Sequence, residues 1–432
     1  MNAALADDHF IKRATASESP YYVKGLALGI PAYLIGIHLW TWVFMLSAFL
    51  GGRADFRQLY TSGFMVSSGY ARQLYDYDIQ LHFQNKLVSK ADIALPGDHP
   101  AYEALLFVPL SLLRYRTAYF VFVAVNVGVL ALVFWMLHPH MENLTAIFWW
   151  LPVAMFLGFL PAAAALMQGQ DSILLLFLLA AAMIALNRGQ ELTAGALVGL
   201  GLFKFQIVIP IALLFFVWRR WRFSAGFTFS TGAVAGISLW LVGFAQAKVY
   251  ARSLVSMSVS LSSILDQFKY GIYPSAMPNL RGLLFGVLRG RVPGFWLQTV
   301  TIAVSAAAFI LVAILAKKQL GEDLFLIAIT VGTLVSYHVY IHDLSVLLIP
   351  VIVTLNRFIQ SEKTGDKAER WAARTAAGVF VAPVCKSFAP DHFYLVSIVV
   401  GTFLGSIMWA LIHADLVPQR PQMVGSAKVH GK

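Results

Sequence analysis

Charge is what this chain has least of. Only 12% of its 432 residues are Asp, Glu, Lys or Arg, 59% are hydrophobic and the mean hydropathy is +0.71, whereas a soluble domain carries about 25% charge. That balance excludes an ordinary soluble chain and indicates a polytopic membrane protein. Cysteine is almost absent: Cys385 stands alone, so neither an intramolecular disulfide nor a thiolate metal cage can form. No Gly-rich loop ending in Lys-Ser or Lys-Thr is present, and no nucleophile elbow, so nucleotide-driven chemistry has no anchor. Long polar stretches are lacking as well, which leaves no room for a soluble domain between the apolar runs.

What the chain has in abundance is apolar runs of about 20 residues, each able to cross a hydrocarbon core of about 30 Å, recurring from Gly25 to His413. The net charge of +11 collects in short basic clusters at the ends of those runs, where the positive-inside rule places it, so topology rather than nucleic acid accounts for it. With Lys12 and Arg13 inside, the first span (about Gly25–Leu50) is too long for a signal-peptide core and delivers residues 51–116 to the outer face as a long loop. Residues 101–113 either span or lie on the surface; the surface choice keeps Arg219, Arg220 and Arg222 inside and predicts about twelve transmembrane helices. Two of them are short, Leu192–Phe203 and Phe205–Trp218, hinged at Lys204; twelve to fourteen residues at 1.5 Å each cover only about 18–21 Å, which sets Lys204 below the outer surface. A second long outer loop covers residues 245–293 and includes a serine-rich stretch (Ser256, Ser258, Ser260, Ser262, Ser263). The expected organisation is a cytosolic tail 1–24, one integral membrane domain 25–413 and a cytosolic tail 414–432.

This count gathers polar groups on the outer side: Asp55, Gln168, Gln170, Asp171, Lys204, Gln206, His338, His342 and Asp343. Groups that are expensive in lipid and share one depth imply a common cavity. Asp55, in Gly51-Gly52-Arg53-Ala54-Asp55-Phe56-Arg57, is the candidate catalytic base, with Arg53 and Arg57 either orienting it or contacting a phosphate. Lys204 is the candidate phosphate-binding cation, the alternative being a snorkelling amine. His338 and His342, four apart with Asp343 adjacent, either bind a metal or hydrogen-bond a phosphate or hydroxyl; without a further ligand the expectation is no metal. Gln168 and Gln170 either bind substrate or cap the next helix. Gly195-x-x-x-Gly199 and Gly232-x-x-x-Gly236 are read as close-packing surfaces.

Asp55 after the first span, Tyr60, Gly69, Leu74-Tyr75-Asp76, Pro109-Leu110, Gly169-Gln170, the Lys204 hinge before Trp218-Arg219-Arg220-Trp221-Arg222, and Tyr340-Ile341-His342-Asp343 together resemble glycosyltransferase family 87 over about Ala54 to Pro350. Two departures stand out: Asp98-His99-Pro100-Ala101-Tyr102 replaces a Tyr-Pro-Pro pattern, and Phe205 follows Lys204 where proline is common. The resemblance implies an all-α GT-C fold and a hexosyltransferase that uses a polyprenyl-phosphate sugar, typically mannose, at the outer face of a bacterial inner membrane. It maps the family's acidic residue to Asp55. The expected donor-phosphate ligands are Lys204, His342, Arg281 and Arg57. Gln170, Gln168, His338, Asp343, Tyr60, Tyr75 and Asn279 are expected to bind substrate. Expected partners are the bilayer, the lipid-linked donor and a glycolipid or glycan acceptor, with no nucleic acid, no cofactor and no metal. Both termini are expected in the cytosol. A transporter or flippase of a lipid-linked or anionic substrate is the alternative that short spans with a buried lysine also suit.

Overall fold

The computed structural model describes residues 21–97, 99–259, 272–316, 321–359 and 367–416. Ser260, Ser262 and Ser263 of the serine-rich stretch, together with most of both tails, fall outside the described residues.

The described chain is almost wholly helical and forms no sheet. Helix α1 (Tyr21–Ala48) ends in a widened turn at Phe49–Arg53, where Gly52 takes φ 91°. A Cβ there would stand 2.6 Å from Val88 Cγ1, so only glycine allows this reversal, which sets Asp55 at the head of α2 (Phe56–Ser67). Helix α3 (Tyr77–Leu87) is capped by Asp76, whose carboxylate accepts from the amides of Asp78 and Ile79. The apolar α4 (Ala104–Ser111) packs on α2, and α5 (Tyr115–Leu137) follows. Residues 51–114 thus fold as short helices.

The apolar stretch that follows is broken into α6 (Glu142–Ile147), α7 (Leu151–Gly158) and α8 (Leu160–Gln168), the last two bent by 52°. Phe159 is extended and Pro161 opens α8, a position where proline's missing N–H costs nothing. Next come α9 (Ser172–Asn187), α10 (Glu191–Leu200), α11 (Phe205–Val217) and α12 (Trp221–Val259, kinked at Gly243). The remainder is α13 (Leu280–Leu288), α14 (Gly294–Leu315), α15 (Gly321–Val335), a 3-10 segment Ile341–Leu347, α16 (Leu348–Phe358), α17 (Lys367–Val381), α18 (Cys385–Phe388) and α19 (Val396–Leu416).

By length and composition, six helical runs can cross a membrane, or seven with the bent α7–α8 pair as one. One of the six, residues 191–217, does not run straight. Arg220, just past α11, pairs with Glu191 at the start of α10 at 3.0 Å, so α10 and α11 fold back on each other with Gly201–Lys204 at the apex. Gly195 and Gly199 face Phe223, Phe227 and Ser230 of α12 with no room for a side chain, the close approach expected of small residues between membrane helices. Gly232 and Gly236 meet open space instead, so among the described residues nothing packs closely on that second pattern.

The bundle has two chemically distinct ends. At one, Asn187 at the foot of α9 bonds Glu322 at the start of α15, and Arg357 at the end of α16 pairs with Glu322 and Asp323. At the other end of the same helices, Ser172 at the head of α9 bonds Asp343 just before α16. The intervening α9 is 16 residues, about 24 Å of helix. Between the ends lies a continuous apolar core to which α8, α9, α15 and α16 contribute fully buried Ala162, Leu175, Ile329 and Val351.

Candidate active site

At the Ser172 end, chain breaks in four places bring the polar groups together. The Gly52 reversal presents Asp55, the α8–α9 turn presents Gln168, Gln170 and Asp171, the α10–α11 apex presents Lys204, and the 3-10 segment presents His342 and Asp343. The α8–α9 turn needs Gly169 in the left-handed region (φ 59°), where a Cβ would stand 2.7 Å from Phe56 Cβ. That contact locks the turn against the head of α2, one residue from Asp55.

The contacts form a chain. Gln170 Nε2 donates to Asp55 Oδ2 at 2.9 Å, and Gln170 Oε1 accepts from Lys204 Nζ at 3.1 Å. Because an ammonium only donates, Lys204 fixes which way the Gln170 amide faces, and its NH2 must then point to Asp55. Gln168 Oε1 accepts from the Asp55 amide at 3.3 Å, and Asn126 Nδ2 donates to the Gln170 carbonyl at 3.2 Å. Lys204, 3% exposed, lies 3.0 Å from Asp171 Oδ1 and 3.2 Å from Asp343 Oδ1. Ser172 Oγ donates to Asp343 Oδ1 at 3.1 Å and the Tyr340 amide to Asp343 Oδ2 at 2.9 Å. The His342 ring stands between two carboxylates, Nδ1 3.9 Å from Asp55 Oδ2 and Nε2 3.5 Å from Asp343 Oδ2.

Asp55 is the outermost member, its side chain 30% exposed. Oδ1 receives no hydrogen bond among the described residues, leaving that oxygen open to an incoming group. Asp171 and Asp343 lie outside the long helices; burial alone would raise both carboxyls, but Lys204 holds each below the usual carboxylate range, Asp343 at about 2. Burial pushes His342 below the ordinary histidine value, with the Lys204 charge acting in the same direction against the pull of Asp343 and Asp55. His342 is therefore neutral at pH 7.

Asp55, Gln168, Gln170, Lys204, His342 and Asp343 are thus one constellation. The other expected residues are engaged elsewhere. Arg57 is turned to the Ser89 carbonyl (2.8 Å) and Asn85 Oδ1 (3.1 Å), where it ties α2 to the end of α3. Tyr60 donates to the Leu113 carbonyl at 2.7 Å. Tyr75 donates to the His99 carbonyl at 2.9 Å and stacks on Tyr250. Asn279, fully buried, caps α13 through Gly282 and donates to the Ser336 carbonyl at 2.6 Å. His338 stands edge-on to Tyr340, ring centroids 4.7 Å apart. Arg281 Nη1 donates to the Tyr337 carbonyl at 2.9 Å, and its guanidinium borders a groove of about 790 Å³ between α11, α13, α14 and α15. That groove is mainly apolar, lined among others by Leu213, Phe285, Leu297, Ile302 and Phe309. Tyr337, also on its wall, packs against Phe205, the neighbour of Lys204 (5.8 Å between rings).

The profile of glycosyltransferase family 87 matches residues 99–337, more than half of the chain. The chain belongs to glycosyltransferase family 87. No curated protein and no solved structure matches it. The matched span carries Gln168, Gln170, Asp171, Lys204 and Arg281; Asp55 and His342-Asp343 lie on either side of it and join the same cluster only through the fold. This glycosyltransferase is a membrane protein that transfers a glycosyl group from a donor to an acceptor.

Two further titratable residues of the cluster, partly buried His99 and buried Glu103, do not stand out in the sequence. His99 Nδ1 lies 2.6 Å from Glu103 Oε2 and 3.5 Å from Asp171 Oδ2. Their i, i+4 spacing was the available signal, obscured because Glu103 opens an apolar stretch that reads as a surface segment.

Proposed function

We propose that this glycosyltransferase moves a hexose, mannose in the first instance, from a polyprenyl-phosphate donor to a hydroxyl of a glycolipid or glycan, with inversion, at the outer face of a bacterial inner membrane. The observation that carries the reading is the Asp55–Gln170–Lys204 chain beside a lateral apolar groove. Such a groove can take an isoprenoid tail; Arg281 is on its wall, and Tyr337 on the same wall packs against Phe205, the neighbour of Lys204.

Transfer breaks the C1–O bond to the phosphate and forms a C1–O bond to the acceptor. The departing phosphate leaves as an anion and needs no proton, so one base suffices. Asp55 Oδ1 takes the acceptor's proton while Gln170 holds Oδ2. Lys204 stabilises the charge that builds on the phosphate oxygens, with His342 as a neutral hydrogen-bonding partner. Asp171 and Asp343 fix the ammonium in place. A GT-C arrangement with about twelve membrane crossings, both termini in the cytosol, goes with this reading: Arg188, Arg220 and Arg357 sit at the opposite end from Asp55, as the positive-inside rule requires of an outward-facing site.

The test is to supply purified, lipid-reconstituted protein with a panel of radiolabelled polyprenyl-phosphate hexoses and, separately, nucleotide sugars. Label should pass from the polyprenyl-phosphate donors only. Transfer from a nucleotide sugar alone would overturn the donor assignment.

A further inference from the structure

The line of contacts from Asp55 does not stop at Lys204. Asp171, paired with Lys204 through Oδ1, turns Oδ2 toward His99, and His99 in turn approaches Glu103. The ligand atoms of His99, Glu103 and Asp171 all lie within 4.8 Å of one another. Glu103 and Asp171 are each 1% exposed, and among the described residues no donor of good hydrogen-bond geometry reaches either oxygen of either carboxylate, close as His99 and Lys204 come. On the side away from Asp171, His99 and Glu103 border a space of about 10 Å³ that Gln58 and Ser62 also line. That is about the room one water or small ion needs.

Lys204 is meanwhile engaged by two carboxylates, Asp171 and Asp343, so an anionic phosphate must compete with both for the one ammonium. A cation held by Asp171 takes up one of those two competitors.

We propose that His99, Glu103 and Asp171 bind one divalent transition-metal cation, which neutralises the carboxylates behind Lys204 and releases that ammonium toward an anionic phosphate. One imidazole with two carboxylates suits Mn²⁺, Co²⁺ or Zn²⁺, whereas Mg²⁺ prefers an all-oxygen octahedron. Ligand bonds of about 2.0–2.2 Å put neighbouring ligand atoms about 3–3.5 Å apart. The His99–Asp171 spacing of 3.5 Å meets that, and the 2.6 Å His99–Glu103 spacing opens to it by a small rotation of the Glu103 side chain. The ion touches no reacting atom. Its binding is independent of the reaction proposed above, while its effect on phosphate rests on that reading.

The experiment uses full-length, tag-cleaved protein in lipid nanodiscs, stripped with chelator, dialysed against micromolar Mn²⁺, Zn²⁺ or Mg²⁺ and counted by elemental mass spectrometry. Wild type should retain one Mn²⁺ or Zn²⁺ per chain and no Mg²⁺. Glu103→Gln, which preserves shape, should weaken retention at least about tenfold, as should His99→Gln. Size-exclusion profile and melting temperature verify that each variant is folded. No retained ion in wild type, or equal retention in folded Glu103→Gln, overturns the site. Loaded wild type should also bind polyprenyl phosphate about tenfold tighter than stripped protein, and stripped Glu103→Gln should gain nothing on loading. Equal affinity with and without bound ion overturns the charge-balancing role. Failure of polyprenyl phosphate to bind in either state sinks the donor reading, while the ion count still decides the site.

Discussion

Replacing Lys204 with methionine keeps the length of the side chain and removes its charge. The ammonium lies 3.0 Å from Asp171 Oδ1 and 3.2 Å from Asp343 Oδ1, with all three side chains almost wholly buried. At an effective dielectric near 20 each pair is worth about 5 kcal/mol of gross attraction. Desolvating the three charges consumes most of it; the methionine variant recovers only the ammonium's share of that cost and leaves Asp171 and Asp343 buried without their ammonium partner. Breaking a buried pair in this way costs about 3–5 kcal/mol. Lys204→Met should therefore lose roughly that much in a reversible mixed-micelle unfolding titration. Adding Asp171→Asn removes one orphaned charge and should restore about half, so the two changes are non-additive by about 2 kcal/mol. Full stability of Lys204→Met, or simple additivity in the double variant, would refute the idea that Lys204 is the electrostatic keystone of the site. The same cycle warns that lost activity in Lys204→Ala alone does not separate phosphate binding from loss of structure.

Further consequences follow from other parts of the site. Gly169→Ala places a Cβ 2.7 Å from Phe56 in a left-handed turn and should cost about 2 kcal/mol or more in the same titration while lowering transfer well below wild type, since Gln170 moves with the turn; wild-type kinetics in that variant would contradict the locking contact. Ala306→Trp fills the apolar groove and should raise KM for long-chain donors with little change for a short-chain analogue, measured by label transfer. His342 lies among Asp343, Lys204, Asp55 and Asp171, and burial lowers its proton affinity, so the unfolded chain takes up a proton the folded chain refuses once pH drops below about 6.5. Stability should then fall with decreasing pH, by no more than about 1.4 kcal/mol per pH unit from this residue, and that slope should flatten in His342→Gln.

The parts of the site legible in the sequence are those carried by local breaks in hydrophobic pattern. Lys204 stands out because a charge interrupts an apolar run, and the expected hinge matches the Gly201–Lys204 apex within a residue. Asp55 and His342-Asp343 stand out because they follow apolar runs, the first of them of membrane length. What stayed hidden depends on which side chains meet across the fold. Arg57 has the composition of a phosphate ligand but is captured by Asn85 and Ser89, some thirty positions away. Glu103 opens an apolar helix, and only the approach of His99 and Asp171 shows it to be part of a polar cluster. The two Gly-x-x-x-Gly patterns look alike on paper; α12 lies against the first, and among the described residues nothing lies close against the second. The break at Phe159 is hidden in the sequence because Pro152 and Pro161 lie within one continuous apolar stretch.

The most direct test returns to Asp55. Its carboxylate is held by Gln170 through one oxygen and open at the other, the geometry of a base waiting for a hydroxyl. In nanodiscs with a labelled polyprenyl-phosphate mannose and acceptor-containing membrane extract, Asp55→Asn should bind donor within about threefold of wild type, yet lose about 10²–10⁴ in turnover, the range a general base supplies. Turnover at the wild-type rate with donor bound would contradict the assignment of Asp55 as the base on which the account depends.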